Sequence, residues 1–124
     1  MQQPYLCSNQ IQALLSDGFT FGSHSQNHPT YNQISIADQI NQTIESQKFI
    51  QENFNLPYKT FAFPFTDVGV SKDFFDKVLG EENFQLSFGG AGLKQERIKG
   101  QLQRFGMESQ RDTDPRSMIH TEYC

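Results

Sequence analysis

The sequence lacks three features that would each indicate a class of function. No apolar run approaches the roughly 20 residues that a membrane-spanning helix needs, so no membrane span is expected. Acidic residues outnumber basic ones by 14 to 10, and the absence of a basic stripe argues against nucleic-acid binding. Cys7 and Cys124 lie near opposite ends of the chain without CxxC spacing, so free thiols are expected rather than a disulfide or a zinc knuckle.

The size of the chain favours one domain. It has 124 residues, is 35% hydrophobic and contains 12 Phe, which predicts a single domain over residues 1–124 with a modest core. The opening segment MQQPYLCSNQ has neither the basic nor the apolar part of a secretion signal. Two possibilities stay open, a cytoplasmic protein or a chain whose natural beginning lies further upstream.

Hydrophobic patterning predicts that helices alternate with strands. A helix over residues 8–17 should end at Gly18, and a strand of strand-forming residues should follow over residues 19–21. Ser35, with Asp38 three residues later, resembles a capping box for a helix that reaches about residue 54. The expected buried stripe of that helix is Ile36, Ile40 and Ile44.

The second half of the chain continues this alternation. A short strand over residues 60–63 should end at Pro64, and Ser71 can cap the next helix, whose expected inner face is Phe74, Phe75, Val78 and Leu79. Further strands are predicted over residues 84–88 and 102–107, and a final helical turn at Asp114-Pro115. Such alternation predicts an α/β fold of parallel strands, whose carboxyl ends gather the functional groups.

Two of the three histidines lie close together in the segment GSHSQNHP, residues 22–29. His24 and His28 could bring their imidazoles to one point if the intervening backbone forms a helical turn, and a metal site requires such convergence. For a bare HxxxH pair the alternative is a hydrogen-bonded histidine at a strand end and a solvated histidine in a turn. The predicted strand over residues 19–21 would place the two histidines at its own carboxyl end.

Two segments resemble motifs of the polysaccharide deacetylases. GFTFGSHSQNHPTY is similar to the second motif of that family, which is His, Ser or Thr, two variable residues, His and Pro. FAFPFTDVG is similar to the third motif, which places a Pro and an aromatic residue beside the substrate groove. The order of elements also matches over most of residues 8–107. The resemblance implies an incomplete, distorted β/α barrel that hydrolyses N- or O-acetyl groups on a glycan, usually outside the cytoplasm.

The resemblance assigns roles to individual residues. It implies that His24 and His28 ligate a divalent metal, usually zinc, for which neutral imidazole is a suitable ligand. Arg104 resembles an arginine that lies on a late strand near the site in the family, and the alternative is a surface arginine. His120 resembles the family's general acid, and the alternative is an ordinary residue of the last helical segment. The residues that would contact substrate are Phe63, Pro64 and Phe65, of which the two aromatic ones also suit a core.

One family motif has no counterpart in the sequence. Thr-Phe-Asp-Asp supplies the third metal ligand and the general base in the family, and nothing before His24 matches it. Asp17 cannot take this place, because the predicted strand would carry the chain about 20 Å before it reaches His24. Asp67, in the loop after Pro64, is geometrically better placed as a ligand, and a solvated turn residue is the alternative. The simplest expectation is that the chain is the carboxyl-terminal portion of a longer deacetylase.

Other functions remain open alongside that of a truncated, metal-dependent deacetylase. A catalytically silent module for carbohydrate binding would keep the histidine turn without the carboxylates. A small unrelated metal-binding protein could use His24, His28 and Asp67 as a facial triad. An incomplete barrel also leaves an edge strand and an open apolar flank, which predicts self-association.

Overall fold

The structure is a computed structural model that describes residues 5–92 and 94–105. The described residues fall into two compact units, with residues 5–21 in the first and Gly22–Phe105 in the second. Within these ranges, no helix combines the length and apolar character required to cross a membrane. The second unit contains both candidate histidines and the sheet beside them.

Helix α1 of the first unit spans Ser8–Ser16, as the periodicity predicted. Its end depends on Gly18, which has a φ of +93°. The N–H groups of Gly18 and Phe19 donate to the carbonyls of Leu15 and Leu14 at 3.1 and 3.0 Å, which is the double hydrogen bond of a Schellman cap. Glycine adopts this left-handed conformation without the steric cost of a Cβ, so the predicted stop signal is confirmed.

The strand predicted over residues 19–21 is wrong, because strand pairing is confined to one bridge. Ser23 forms an isolated parallel bridge with Phe61. The Ser23 N–H donates to the Thr60 carbonyl, and the Ala62 N–H donates to the Ser23 carbonyl, both at 2.9 Å. The partner strand is only three residues long. Strand-forming side chains alone do not extend a ladder beyond its partner.

The sheet of the second unit consists of parallel strands in the order β1-β2-β3. Strand β1 spans Thr60–Ala62, β2 spans Leu86–Gly89 and β3 spans Gln101–Gln103, with Phe61 opposite Ser87. All pairs are parallel, so the predicted α/β class with parallel strands is confirmed. The sheet is open, and its carboxyl ends share one rim.

Helix α2 has the limits that its sequence signals predicted. It spans Ile36–Phe54, and the Ser35 hydroxyl accepts a hydrogen bond from the Asp38 N–H at 3.1 Å. This bond satisfies one of the backbone donors that a helix leaves unpaired at its start. The helix ends at Asn55, whose φ of +50° is left-handed.

The buried face of α2 differs from the predicted isoleucine stripe. Ile36 is 39% exposed, and Ile40 and Ile44 are only partly buried. Ile40 still packs against the aromatic core, and a polar contact accompanies it, because Gln39 Nε2 donates to the Tyr31 carbonyl at 2.8 Å. The buried residues of the helix are all polar: Gln39, Thr43, Ser46 and Gln47.

Helix α3 begins after Ser71 and covers Lys72–Phe75, and a π-helical segment continues it over Asp76–Glu81. Ser71 occupies the N-cap position, although its side chain makes no capping hydrogen bond. The predicted inner face is confirmed for the buried residues Phe74, Phe75 and Val78, whereas Leu79 is partly buried.

An aromatic cluster forms the core between the helices and β1. Tyr31 and Phe61 have ring centroids 5.5 Å apart, and Phe61 and Phe63 have centroids 5.0 Å apart. Edge-to-face and tilted pairs at this distance add to the stabilisation from burial. The core residues are Tyr31, Phe61, Phe63, Phe74, Phe75, Val78 and Phe84. The helical turn predicted at Asp114-Pro115 lies outside the described residues.

Candidate functional site

The two candidate histidines converge at the carboxyl end of the sheet. His24 directly follows the bridge residue Ser23, which pairs beside β1. The Nε2 atoms of His24 and His28 lie 3.1 Å apart, and the two ring planes meet at 71°. Both ring edges therefore point at one position on the rim.

The turn between the histidines is not the helical turn that their spacing suggested. Ser25 and His28 have φ values of +73° and +54°, which are left-handed. A side-chain contact closes the turn instead, since the His28 N–H donates to the Ser25 hydroxyl at 3.0 Å. Gln42 of α2 adds a second support through Oε1, which accepts from the N–H groups of Gln26 and Asn27 at 2.9 and 3.1 Å. The local sequence pattern around Gln42 does not connect it with the turn, so this support was not predictable from sequence.

A backbone carbonyl fixes the tautomer of His24. Its Nδ1 lies 2.7 Å from the Ala62 oxygen, and a carbonyl can only accept, so Nδ1 carries the proton. Nε2 of the neutral ring is then unprotonated, and its lone pair accepts a hydrogen bond from the His28 Nε2–H. Desolvation of the ring lowers the pKa of His24 from 6.5, the Ala62 bond partly opposes this, and the charges of His28 and Arg104 lower the pKa further.

The geometry of the pair fits two ligands of one zinc ion. Imidazole nitrogens bind zinc at about 2.0–2.1 Å, which places two tetrahedral ligand atoms about 3.3 Å apart. The observed separation of the Nε2 atoms is 3.1 Å. Metal-bound histidines also commonly donate their other N–H to a carbonyl or carboxylate, as His24 does to Ala62. The pair could therefore hold a zinc ion once the Nε2 proton of His28 is released or moves to Nδ1, with a small adjustment of the rings.

The three residues after β1 occupy different environments. Phe63 and Pro64 are fully buried, and Phe63 belongs to the aromatic core. Phe65 is 64% exposed, and its ring lies edge-on to His28 with centroids 4.7 Å apart. The Phe65 backbone has a φ of +58°, which is rare for a bulky residue. Of the three residues, Phe65 is the one that presents a surface beside the histidines.

Arg104 lies across the same rim of the sheet. Its Nε donates to the carbonyl of Gly89 at 3.0 Å, and its Nη2 donates to the carbonyl of Phe63 at 2.5 Å. The guanidinium thus joins the carboxyl ends of two neighbouring strands. Its charge is also one of the causes that lower the pKa of His24.

Asp67 is buried, with 6% exposure. The alternative prediction, a solvated turn residue, is therefore wrong. Its carboxylate accepts from the Gly90 N–H at 3.2 Å, from Gln101 Nε2 at 2.9 Å and from Gln103 Nε2 at 2.7 Å. Across residues 5–92 and 94–105, no group of three His, Cys, Asp or Glu side chains is placed to hold a metal. The structure therefore does not bring Asp67 to the histidine pair.

Comparison with known proteins identifies the family. The family model for polysaccharide deacetylase matches residues 3–87. The chain belongs to the polysaccharide deacetylase family. Neither a curated protein nor a solved structure matches it significantly. Membership in the deacetylase family indicates a deacetylase-like function and implies a carbohydrate substrate.

The matched part of this polysaccharide deacetylase chain contains both histidines and the segment FAFPF. The structure gathers His24, His28, Phe65 and Arg104 near one rim of the sheet. His120 lies outside the described residues, so its suggested role as general acid stays a prediction.

Proposed function

We propose that this deacetylase uses a divalent cation, zinc by ligand type, held by His24 and His28, to remove N- or O-acetyl groups from a carbohydrate. The observation that supports the proposal is the 3.1 Å separation of the two Nε2 atoms. The bond from His24 Nδ1 to Ala62 keeps Nε2 unprotonated, so a cation could take its lone pair in place of the His28 hydrogen bond.

The proposed reaction adds water to the acetyl carbonyl and breaks its C–N or C–O bond. Acetate is released, and the sugar keeps an amine or a hydroxyl group that takes up a proton from that water. A bound cation would supply Lewis-acid polarisation of that carbonyl. His24 and His28 would hold the cation, and the exposed ring of Phe65 would pack against the acetyl methyl group or a sugar face. Backbone N–H groups near Phe65 could donate to the developing oxyanion, and Arg104 would add a fixed positive charge.

The proposal requires a carboxylate as third ligand and general base. The described residues bring no carboxylate to the pair, so we assign this group to a segment outside them or to a second chain. In the same proposal the open three-stranded sheet is part of an incomplete β/α barrel. The edge strand β3 carries exposed Leu102 and precedes exposed Phe105, which suits self-association.

A catalytically silent carbohydrate-binding module is the second candidate. It is favoured by the lack of a third metal ligand among residues 5–92 and 94–105. Two imidazoles alone make a weaker site than a complete ligand set with its supporting hydrogen bonds. This candidate shares the exposed Phe65 surface and differs in the absence of hydrolysis.

Calorimetric titration with zinc tests the proposal. The purified chain is compared with His24→Ala, His28→Ala and Phe49→Ala, the last of which removes a 65% exposed ring from α2 as a control. Micromolar or tighter binding that only the two histidine substitutions abolish is the expected result. Binding that is absent, or unchanged in the histidine variants, would overturn the metal site.

A second measurement separates the two candidate functions. Acetate release is followed with N-acetylated and O-acetylated oligosaccharides in the presence of zinc. Zinc-dependent release that is lost in His24→Ala supports the enzyme. Oligosaccharide binding without acetate release supports the silent module.

A further inference from the structure

The loop that follows β1 is held in place by the buried carboxylate of Asp67. Both carboxylate oxygens are used: Oδ1 accepts from the Gly90 N–H, and Oδ2 accepts from Gln101 and Gln103. All three donors belong to β2, β3 or the residues that follow them. Because a carboxylate in a buried position needs such donors to offset its desolvation, the loop is bound specifically to these strands.

Two glycines allow the loop to approach the end of β2. A Cβ at Gly90 would lie 2.3 Å from the carbonyl oxygen of Phe65. A Cβ at Gly89 would lie 2.4 Å from Cγ of Asp67. Backbone atoms cannot move aside as a flexible side chain can, so a side chain at Gly90 would displace the loop. The glycines and the Asp67 hydrogen bonds therefore support the same docked position.

The docked loop imposes a strained conformation on Phe65. Its φ of +58° is left-handed, a conformation that is unfavourable for a residue with a Cβ. Such strain persists only where surrounding contacts determine the conformation. The contacts on this loop include those of Asp67, two residues further along. The strained backbone brings the Phe65 ring to 4.7 Å from His28.

We infer that Asp67 is a positioning residue whose carboxylate holds the ring of Phe65 against His28 and thereby fixes the orientation of that imidazole. Asp67 acts through Phe65, and its own oxygens face the strands. The benefit for metal binding rests on the proposed function. The geometric effect on His28 does not depend on that function.

The test is the NMR chemical shift of the His28 ring protons in the metal-free chain at about pH 9, where imidazole is neutral. Phe65→Leu gives the shift without the neighbouring aromatic ring. Asp67→Asn keeps the shape of Asp67 and replaces one accepting oxygen with a donor. We expect Asp67→Asn to move the His28 shift at least halfway toward that of Phe65→Leu. A folded Asp67→Asn chain with an unmoved shift would overturn the inference.

The control variant is Glu96→Gln, which changes a carboxylate in the same network. Glu96 accepts from Gln103 Nε2 at 2.9 Å and pairs with Lys94 at 2.9 Å, and neither of these partners belongs to the loop after β1. The chemical shift of the His28 ring protons in Glu96→Gln should equal that of the wild type. A change in this shift as large as that caused by Asp67→Asn would contradict a specific role of Asp67. If Asp67→Asn does not fold, Gln103→Leu removes one donor, and an unmoved shift there would also overturn the inference.

Zinc titration of the same variants separates this inference from the proposed function. If the wild type binds zinc, Asp67→Asn should weaken binding about tenfold, the usual effect of losing a group that orients a ligand. If Asp67→Asn changes the His28 chemical shift but leaves the zinc affinity unchanged, Asp67 does not contribute to the metal site. If the wild type binds no zinc, the proposed function fails, while the His28 shift still decides whether Asp67 positions the ring.

Discussion

His24 Nδ1 lies 2.7 Å from the carbonyl oxygen of Ala62, the last residue of β1. A main-chain atom of the sheet therefore selects the tautomer of the first candidate ligand. A backbone acceptor has a fixed direction and cannot change rotamer. The ring of His24 is consequently tied to the strand, whereas His28 depends on the turn and on Phe65 for its orientation.

The pKa of His24 in the metal-free chain should lie below 6.5, chiefly because partial burial of the ring disfavours its charged form. A pKa that is lower in the folded than in the unfolded state gives a contribution to stability that is present above pH 6.5 and is lost as the pH falls through the folded value. NMR titration of the ring protons measures this pKa directly. Chemical unfolding at several pH values, compared with His24→Gln, measures the stability. A pKa at or above the usual histidine value would contradict the prediction.

Phe63 and Phe65 flank Pro64 and should respond oppositely to truncation. Phe63→Ala should lower the free energy of unfolding by about 3–5 kcal/mol, because Phe63 is fully buried in the core. Phe65→Gly relieves a left-handed φ and removes an exposed ring, so stability should change by less than about 1 kcal/mol. Denaturant unfolding measures both effects. Zinc affinity should fall in folded Phe65→Gly, and an unchanged affinity would show that the contact with His28 is unimportant for the site.

Tyr31 should make the domain sensitive to alkaline pH. Burial raises the pKa of Tyr31 to about 12, partly opposed by its hydrogen bond with Thr43. Because the raised folded pKa keeps the phenol protonated, its contribution to stability is complete below pH 10 and is lost as the pH rises toward 12. Tyr31→Phe should cost about 1 kcal/mol near neutral pH by removing that bond. The difference in unfolding free energy between wild type and Tyr31→Phe should shrink above pH 10, and a constant difference would contradict this linkage.

Local sequence signals predicted the limits of the helices better than their orientation. The cap residues Ser35 and Gly18 act within one turn of chain, so their effect is visible in sequence. The buried face of α2 depends on Tyr31, whose carbonyl receives Gln39 and whose hydroxyl bonds to Thr43 at 2.9 Å. Periodicity of apolar residues contains no information about such partners. It therefore predicted an isoleucine stripe where the structure buries amides and hydroxyls.

The candidate site shows the same division between local and distant information. The spacing of His24 and His28 suggested convergence through a helical turn. Their Nε2 atoms do lie 3.1 Å apart, but a turn with left-handed residues at Ser25 and His28 brings them together. The supports of the pair were not predictable, because Ala62 contributes a main-chain atom and Gln42 lies on another element. Asp67 looked like a solvated loop residue because its hydrogen-bond donors come from β3 and from the end of β2, far along the chain.

Gly22 should be needed for the site, although it carries no functional group. A Cβ at this position would lie 2.3 Å from Oγ1 of Thr60 and 2.8 Å from its carbonyl oxygen. The hydroxyl can rotate away, but the carbonyl accepts from Ser23 in the bridge that precedes His24. Gly22→Ala should therefore lower the free energy of unfolding by about 1–3 kcal/mol, as overpacking does, and should weaken zinc binding.

Gly80 provides the matched control, because a Cβ there meets no atom within 4 Å. Gly80→Ala should raise the free energy of unfolding by about 0.5–1 kcal/mol, since alanine restricts the unfolded chain and suits a helical segment better. Its zinc affinity should equal that of the wild type. Denaturant unfolding and calorimetry on both variants check the pair of predictions. If Gly22→Ala were as stable and as tightly zinc-binding as Gly80→Ala, the bridge at Ser23 could not be what positions His24.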